Sequence, residues 1–174
     1  GIALGAVTGS GNSFSLTNIG AGAISFGGDL LNFNNFSANS GQALDIAYNI
    51  SGNTMSLTSG GTITGIGVVN GPALTTSSVG GTSLYTVIAN LAASNSGSGN
   101  VSFNNSGNLT LASINQSGGN LSISNNGSIS QSAGATVSGT SSFTTNADQD
   151  TALGANNSFT GAVDFTTTGT SNVS

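Results

Sequence analysis

Apolar residues recur at a fixed interval of 20 along much of this chain, with a single threonine among them. The series are Ile24, Leu44, Thr64 and Leu84; Phe26, Ile46 and Ile66; Phe103, Ile123, Phe143 and Val163; and Leu109 and Ile129. A constant period of this length is typical of solenoid proteins, in which each repeat stacks on the one before it. The period therefore predicts a solenoid before any local structure is considered.

Within each period the local pattern is an apolar, a polar and an apolar residue. Examples are residues 44–46 (LDI) and 121–123 (LSI). Alternation with a period of two places the two outer side chains on one face of a strand and the middle one on the other. Clusters of Gly, Asn and Ser between the triplets, such as residues 97–100 and 125–127, are typical of turns. The sequence therefore predicts an all-β fold built from short strands with one buried face.

The length of 174 residues and the period of 20 together predict eight to nine coils. Adjacent strands lie about 4.8 Å apart, so the stack would form a rod of about 40 Å. A solenoid has no fixed domain size, so the chain is expected to be either a slice of a longer array or a complete fibre subunit.

The expected organisation is a single β-solenoid over residues 1–174, with regular coils over 1–66 and 100–174. The 20-residue register slips between these two parts, so residues 67–99 are expected to form an irregular coil or an insertion. Within that segment, residues 84–93 (LYTVIANLAA) could form a helix, but a long strand with a loop is favoured.

Charge excludes several classes of partner. The chain has no Lys, Arg or His, and its five charged side chains are Asp29, Asp45, Asp148, Asp150 and Asp164. Binding to nucleic acid or to anionic lipid requires cationic side chains that neutralise phosphate. No apolar run reaches the length of a membrane-spanning helix. The sequence therefore predicts no binding to nucleic acid and no insertion into a membrane.

The same absences limit catalysis. A nucleophilic Ser or Thr needs a neighbouring base, and neither His nor Lys is present. Transition metals lack Cys and His ligands. Asp148 and Asp150 could bind Ca²⁺ together with backbone carbonyls, but solvated turn charges are the favoured interpretation. We therefore expect no catalytic residues, no cofactor-binding residues and no metal ligands, and a protein that is not an enzyme.

Residues 107–165 carry a recognisable repeat pattern. Its most specific pieces are residues 127–132 (GSISQS), 137–140 (VSGT) and 157–163 (NSFTGAV). This pattern resembles the repeat region of filamentous-haemagglutinin-like proteins and autotransporter passengers on the surface of Gram-negative bacteria. The resemblance implies a right-handed parallel β-helix that is secreted and displayed as an extracellular fibre. The Asn-Pro motifs of that family's secretion region have no counterpart here, so the resemblance implies a piece of the shaft or an atypical member.

Three functions remain open at this point. The favoured one is a structural shaft or fibre subunit at the cell surface, with an adhesion or biofilm role, which joins copies of itself or adjoining repeats end to end or side by side. The alternative is an adhesin module that binds a host or cell-surface ligand through residues 67–99. The third is a water-ordering face, which would need Thr-x-Thr in every coil. Tyr48 and Tyr85 lie outside the apolar triplets and are expected to expose their hydroxyl groups.

Overall fold

The computed structural model describes all 174 residues and contains 17 strands. They are β1 (Ile2–Leu4), β2 (Val7–Thr8), β3 (Phe14–Asn18), β4 (Ile24–Phe26), β5 (Leu30–Ser40), β6 (Leu44–Asp45), β7 (Ile50–Ser59), β8 (Ile63–Ser78), β9 (Thr82–Asn95), β10 (Val101–Ser106), β11 (Leu109–Gln116), β12 (Leu121–Asn126), β13 (Ile129–Gln131), β14 (Ala135–Val137), β15 (Ser141–Thr145), β16 (Ser158–Phe159) and β17 (Val163–Thr166). Since the chain forms no helix, none is available that could span a bilayer.

Parallel pairing between successive turns of the chain defines the architecture. The strands stack in about eight coils of roughly 20 residues, which is a β-solenoid. The leading ladder contains the first strand of each coil: β1, β4, β6, the starts of β8 and β9, then β10, β12, β15 and β17. The trailing ladder contains the last strand: β3, the ends of β5, β7, β8 and β9, then β11, β14 and β16. The predicted all-β coiled fold is confirmed.

The core is one cluster of 29 buried apolar residues that runs along the rod. Inward-facing side chains of adjacent coils lie directly above one another, because paired strands are in register. At one end the Phe14 and Phe36 rings stack with their centroids 5.0 Å apart. At the other end the Phe143 and Phe165 rings stack at 5.5 Å. Each buried side chain of this size contributes about 1.5–3 kcal/mol through the hydrophobic effect.

The predicted register holds in part of the N-terminal half and fails beyond it. Ile24 pairs with Leu44 as expected, but the next member of that column is Ile63 rather than Thr64, because this coil is one position shorter than the period. Ile66 is 83% exposed, so its predicted place in the core is wrong. It lies where the pairing of β8 with β9 shifts between Thr64 and Val68, and this irregularity turns it outward.

The C-terminal register is confirmed except at its last member. Phe103 pairs with Ile123, and Ile123 pairs with Phe143, both at the predicted interval. The next coil is two positions longer than the period, so Phe143 pairs with Phe165 rather than with Val163. Turns lengthen without disturbing the strands, since an added loop residue costs little compared with a misplaced core side chain.

Residues 67–99 belong to the stack and are not an insertion, although their coils depart from the 20-residue period. Strand β9 pairs along most of its length with β8 on one side and with β10 and β11 on the other. Residues 84–93 are strand, as favoured over helix. The predicted register disappears here because, along most of the ladder, paired residues of β8 and β9 are three positions closer in sequence than the period. The apolar series therefore slips while the coils continue.

A charge placed inside the stack should unfold the chain. Ile123 is fully buried between Phe103 and Phe143, so Ile123→Asp should destabilise it by several kcal/mol, because an unpaired buried charge is costly. Ser122→Asp is the matched control, since its side chain points outward from the same strand. Thermal unfolding followed by circular dichroism measures both. Equal melting temperatures for the two variants would contradict the register.

Candidate functional surface

One column of polar side chains runs inside the rod at the end of the trailing ladder. Its members are Asn18, Ser40, Ser59, Ser78, Asn95 and Gln116, all of them buried except the first. Most of these side chains hydrogen bond to carbonyls of the following turn. Asn95 Nδ2, for example, donates to Gly97 O at 2.8 Å and to Gly99 O at 2.9 Å. The column therefore satisfies turn carbonyls that would otherwise be buried without a partner.

A second polar column occupies the C-terminal half. Residues Thr86, Asn105, Asn125 and Thr145 continue the column that Leu30, Ile50 and Val69 begin. Asn105 Oδ1 accepts hydrogen bonds from Thr86 Oγ1 at 2.8 Å and from Ile88 N at 2.9 Å. Its Nδ2 donates to Asn125 Oδ1 at 2.9 Å, which forms an amide ladder. These groups are buried and partnered, so they hold coils together and are not accessible to a ligand.

Side chains of Asn and Asp also connect the coils from outside. In each case a side-chain oxygen accepts a hydrogen bond from a backbone N–H one coil further along the chain. The pairs are Asp29–Asn49, Asn49–Val68, Asn100–Asn120, Asn120–Thr140, Asn108–Ser128, Asp148–Thr170 and Asp150–Asn172. Such bonds place Asn and Asp at strand starts in successive coils, and they give three of the five aspartates a structural role.

The two candidate Ca²⁺ ligands, Asp148 and Asp150, are engaged in these contacts. Asp148 Oδ1 accepts hydrogen bonds from Thr170 N at 2.8 Å and Thr170 Oγ1 at 2.9 Å. Asp150 Oδ1 accepts hydrogen bonds from Asn172 N at 2.8 Å and Asn172 Nδ2 at 3.2 Å. No group of three or more acidic, His or Cys side chains is positioned to hold a metal ion. The contacts favour a structural role for both carboxylates.

The hydrogen bonds from Thr170 also change the acidity of Asp148. The Thr170 backbone N–H, followed by its hydroxyl, stabilises the ionised carboxylate and holds the pKa of Asp148 below its ordinary value of 3.8. The carboxylate is therefore ionised wherever the protein is near neutral pH.

The outer face of the trailing ladder is an uncharged array of small side chains. Two neighbouring columns contain Ser15, Ser37, Ser56, Thr75, Ala92 and Ser113, and Thr17, Asn39, Thr58, Ser77, Ser94 and Asn115. No coil has Thr at both of these positions. The regular Thr-x-Thr array that a water-ordering face requires is therefore missing from this face.

Large apolar side chains are exposed on several coils, and four of them lie in β8, β9 and the turn before β7, apart from others such as Ile19 and Val79. Tyr48, Ile66, Tyr85 and Val87 are 46%, 83%, 50% and 42% exposed, respectively. The prediction that both tyrosines reach solvent is confirmed. In the next coil the position paired with Tyr85 is Asn104, which is the polar residue expected on an outer face. Tyr85 therefore distinguishes β9 from the C-terminal coils, where Asn104, Ser124 and Thr144 occupy its column.

A groove of about 240 Å³ adjoins this apolar surface. It crosses three coils and is lined by Asn32, Phe33, Ser51, Gly52, Asn53, Asn70, Gly71 and Pro72. Its floor is bare backbone, since a Cβ on Gly71 would collide with Gly52 O. Asn70 connects the groove to the apolar surface, because its strand partner is Val87.

The groove and the buried amide ladder have no signature that sequence reasoning could use. Asn32, Asn53 and Asn70 are three among many Asn residues, and their intervals of 21 and 17 do not match the period. A slipped register in residues 63–95 was the one available signal, and it marks the apolar edge of the groove.

The comparisons with known proteins reach only the C-terminal part of the chain. A family model described as Repeats of unknown function (DUF5649) matches residues 98–166. That segment is less than half of the chain and contains β10 to β17. No curated protein and no solved structure matches the chain. The match marks the C-terminal coils as repeats and names no activity for them.

Removing the amide of Asn105 should destabilise the rod. Asn105→Leu fills the space but leaves Ile88 N without its acceptor, so we expect a loss of about 1–3 kcal/mol for each buried group left unpaired. The matched control is Asn104→Leu, on the outer face of the same strand. Urea unfolding measures both free energies. A similar small loss in the two variants would contradict a structural role for the ladder.

Acidification should loosen the last coil first. Because the folded-state pKa of Asp148 lies below 3.8, its contribution to stability is fully present only above that pH and is lost as the pH falls through the folded value. Hydrogen-exchange protection of the Thr170 amide should therefore fall in acid before that of the core strands. Asp148→Asn should remove this pH dependence. Constant protection of Thr170 throughout the acid range in the wild type would contradict the prediction.

Proposed function

We propose that this chain is a non-enzymatic extracellular structural protein, the shaft or subunit of a bacterial surface fibre with an adhesion or biofilm role. The observation that carries the proposal is the stack of parallel coils itself, whose ladders a further coil could extend at either end. Strand β1 pairs only with β4, and β17 only with β15, so each has one unpaired edge. Unpaired parallel edges are templates for a further strand.

The core side chains at these ends support the same proposal. Those of the first coil are only partly buried, namely Ile2, Leu4, Val7, Phe14 and Leu16. At the opposite end Phe165 is 39% and Val173 46% exposed. An added coil, from a second copy or from adjoining repeats of the same chain, would bury these side chains and extend both ladders. The gain would combine apolar burial with backbone hydrogen bonds.

The composition fits a cell-surface location. The absence of Lys and Arg removes every cleavage site for trypsin-like proteases, and the exposed surface is largely Ser, Thr and Asn. The resemblance of residues 107–165 to surface-fibre repeats adds to this support. The proposal includes no cofactor, and the proposed partners are copies of the chain itself or adjoining repeats.

Electron microscopy of the purified chain tests end-to-end assembly. We expect fibres with an axial repeat of about 4.8 Å, the strand spacing. Phe165→Asp should shorten or abolish them, because it puts a charge in the joint. Thr166→Asp is the matched control, since it adds the same charge on the outer face of the same strand. A wild-type chain that stays monomeric at high concentration in sedimentation experiments would contradict self-assembly.

A second candidate function is ligand binding through the segment 67–99. The observation that favours it is the exposure of Tyr85 and Val87 in this segment, next to the groove. Deleting the segment cannot test ligand binding, because β8 and β9 belong to coils of the stack and their loss would disrupt the fold. Point substitutions of outward-facing residues are needed instead.

A further inference from the structure

The groove lined by β5, β7 and β8 adjoins the exposed side chains of Tyr85 and Val87 on β9, here called the strip, and the two form one continuous surface. Val68 pairs with Tyr85 and Asn70 with Val87, so the groove wall and the strip lie on adjacent strands. Parallel strands are about 4.8 Å apart, so side chains of the two strands can contact one ligand. This juxtaposition is absent from the C-terminal coils, where Asn104, Ser124 and Thr144 occupy the column of Tyr85.

Amide side chains give the groove its hydrogen-bonding capacity. Asn32 and Asn70 line the groove, and neither side-chain amide is used in the hydrogen-bond network of the chain. Asn53 donates to Asn34 Oδ1 at 3.2 Å and keeps its own oxygen available. An amide presents two donors and a carbonyl acceptor side by side, which is the combination that binds a hydroxyl group in both senses. The groove is therefore suited to a ligand with several hydroxyl groups.

The strip adds apolar surface beside the hydrogen-bonding amides of the groove. Tyr85 is half-exposed on an outer face, beside Val87 and Val68. A tyrosine ring offers a flat apolar face with a polar hydroxyl at one end. Such a face packs against the C–H side of a sugar ring, while the ring hydroxyls remain free to contact the amides of the groove.

Charge selects among ligands that carry hydroxyl groups. No charged side chain lines the groove, and the chain contains no cationic side chain that could pair with a sulfate, phosphate or carboxylate. The nearest carboxylate by register, Asp29, accepts a hydrogen bond from Asn49 N and would repel an anion. An anionic ligand is thus disfavoured, and a neutral ligand matches the uncharged lining of the groove.

We propose that this surface binds a neutral oligosaccharide. Its hydroxyl groups would hydrogen bond to Asn32 and Asn70, and one sugar ring would pack on Tyr85. The inference deepens the adhesion role described above and rests on it for its biological setting. The binding itself requires only the coils from β5 to β9, so it can be tested whether or not the chain forms fibres.

The test is titration of the isotope-labelled full chain by nuclear magnetic resonance with four neutral probes: maltohexaose, cellohexaose, chitohexaose and mannohexaose. We expect at least one probe to shift the amide signals of Asn70 and Val87 at millimolar concentration, and a heparin hexasaccharide to leave them unchanged. Tyr85→Ala and Asn70→Ala should each weaken binding roughly tenfold, the scale of one aromatic or hydrogen-bonding contact. Tyr85→Phe should retain most of the affinity.

The controls separate binding from folding and from assembly. Asn104→Ala changes an outward residue in the column of Tyr85 one coil away, and it should bind as the wild type does. All of the substituted residues face outward, so each variant should have the same melting temperature as the wild type. Sedimentation before titration establishes whether the rods are single, and if the wild-type chain assembles, all titrations use the Phe165→Asp background, in which the joint is blocked. Rods that bind the probe but never form fibres would overturn the fibre proposal alone.

Three results would overturn the glycan inference. The first is the absence of any shift with all four neutral probes. The second is binding that Tyr85→Ala and Asn70→Ala leave intact, which would place the ligand elsewhere on the rod. The third is a preference for the heparin hexasaccharide. Fibres that form normally while any of these results is obtained would leave the structural proposal standing.

Discussion

Parallel hydrogen bonding between successive coils is the constraint on which the rest of this structure depends. It places each side chain directly above the corresponding side chain of the coil before, about 4.8 Å away. A buried residue must therefore be compatible in size and hydrogen bonding with the residues stacked on either side of it. Phe on Phe and Asn105 on Asn125 satisfy this condition. Aspartate does not, and four of the five aspartates instead accept hydrogen bonds from an adjacent coil, as Asp45 does from Ser25.

This constraint explains how much of the fold could be predicted from the sequence. The apolar triplets mark inward-facing strand positions, because a shift of one residue would turn a whole triplet to solvent. Pairs such as Ile24 with Leu44 and Phe103 with Ile123 were therefore predictable. Coil length was not, since the turns absorb differences in length between coils without moving the ladders. Ile66 and Val163 kept the period of 20 and yet lost their places in the core column for this reason.

The candidate site depends on the lengths of the coils, which could not be predicted from the sequence. Asn32, Ser51 and Asn70 meet across three coils at successive intervals of 19, one short of the period, and a strict period of 20 would not have aligned them. The exposure of both tyrosines was predictable from their positions outside the triplets. Their proximity to a groove was not, because it follows from the register of β8 on β9. Because Asn is abundant, the sequence does not distinguish an Asn of the buried ladder from one on the surface. Asn105 is buried and Asn104 is exposed, although they are neighbours in the chain.

The regular coils and the proposed binding surface therefore occupy different parts of the rod. The coils from β10 to β15 keep the predicted spacing in their leading ladder and present Ser, Asn and Thr outward, so each coil offers the same surface as the next. That uniformity suits a shaft, in which length matters and no single coil is special. The coils of β7, β8 and β9 depart from the spacing, and there Tyr85 and the amide groove appear. A specific ligand needs one distinct surface, and in a stack of near-identical coils such a surface arises where the period breaks.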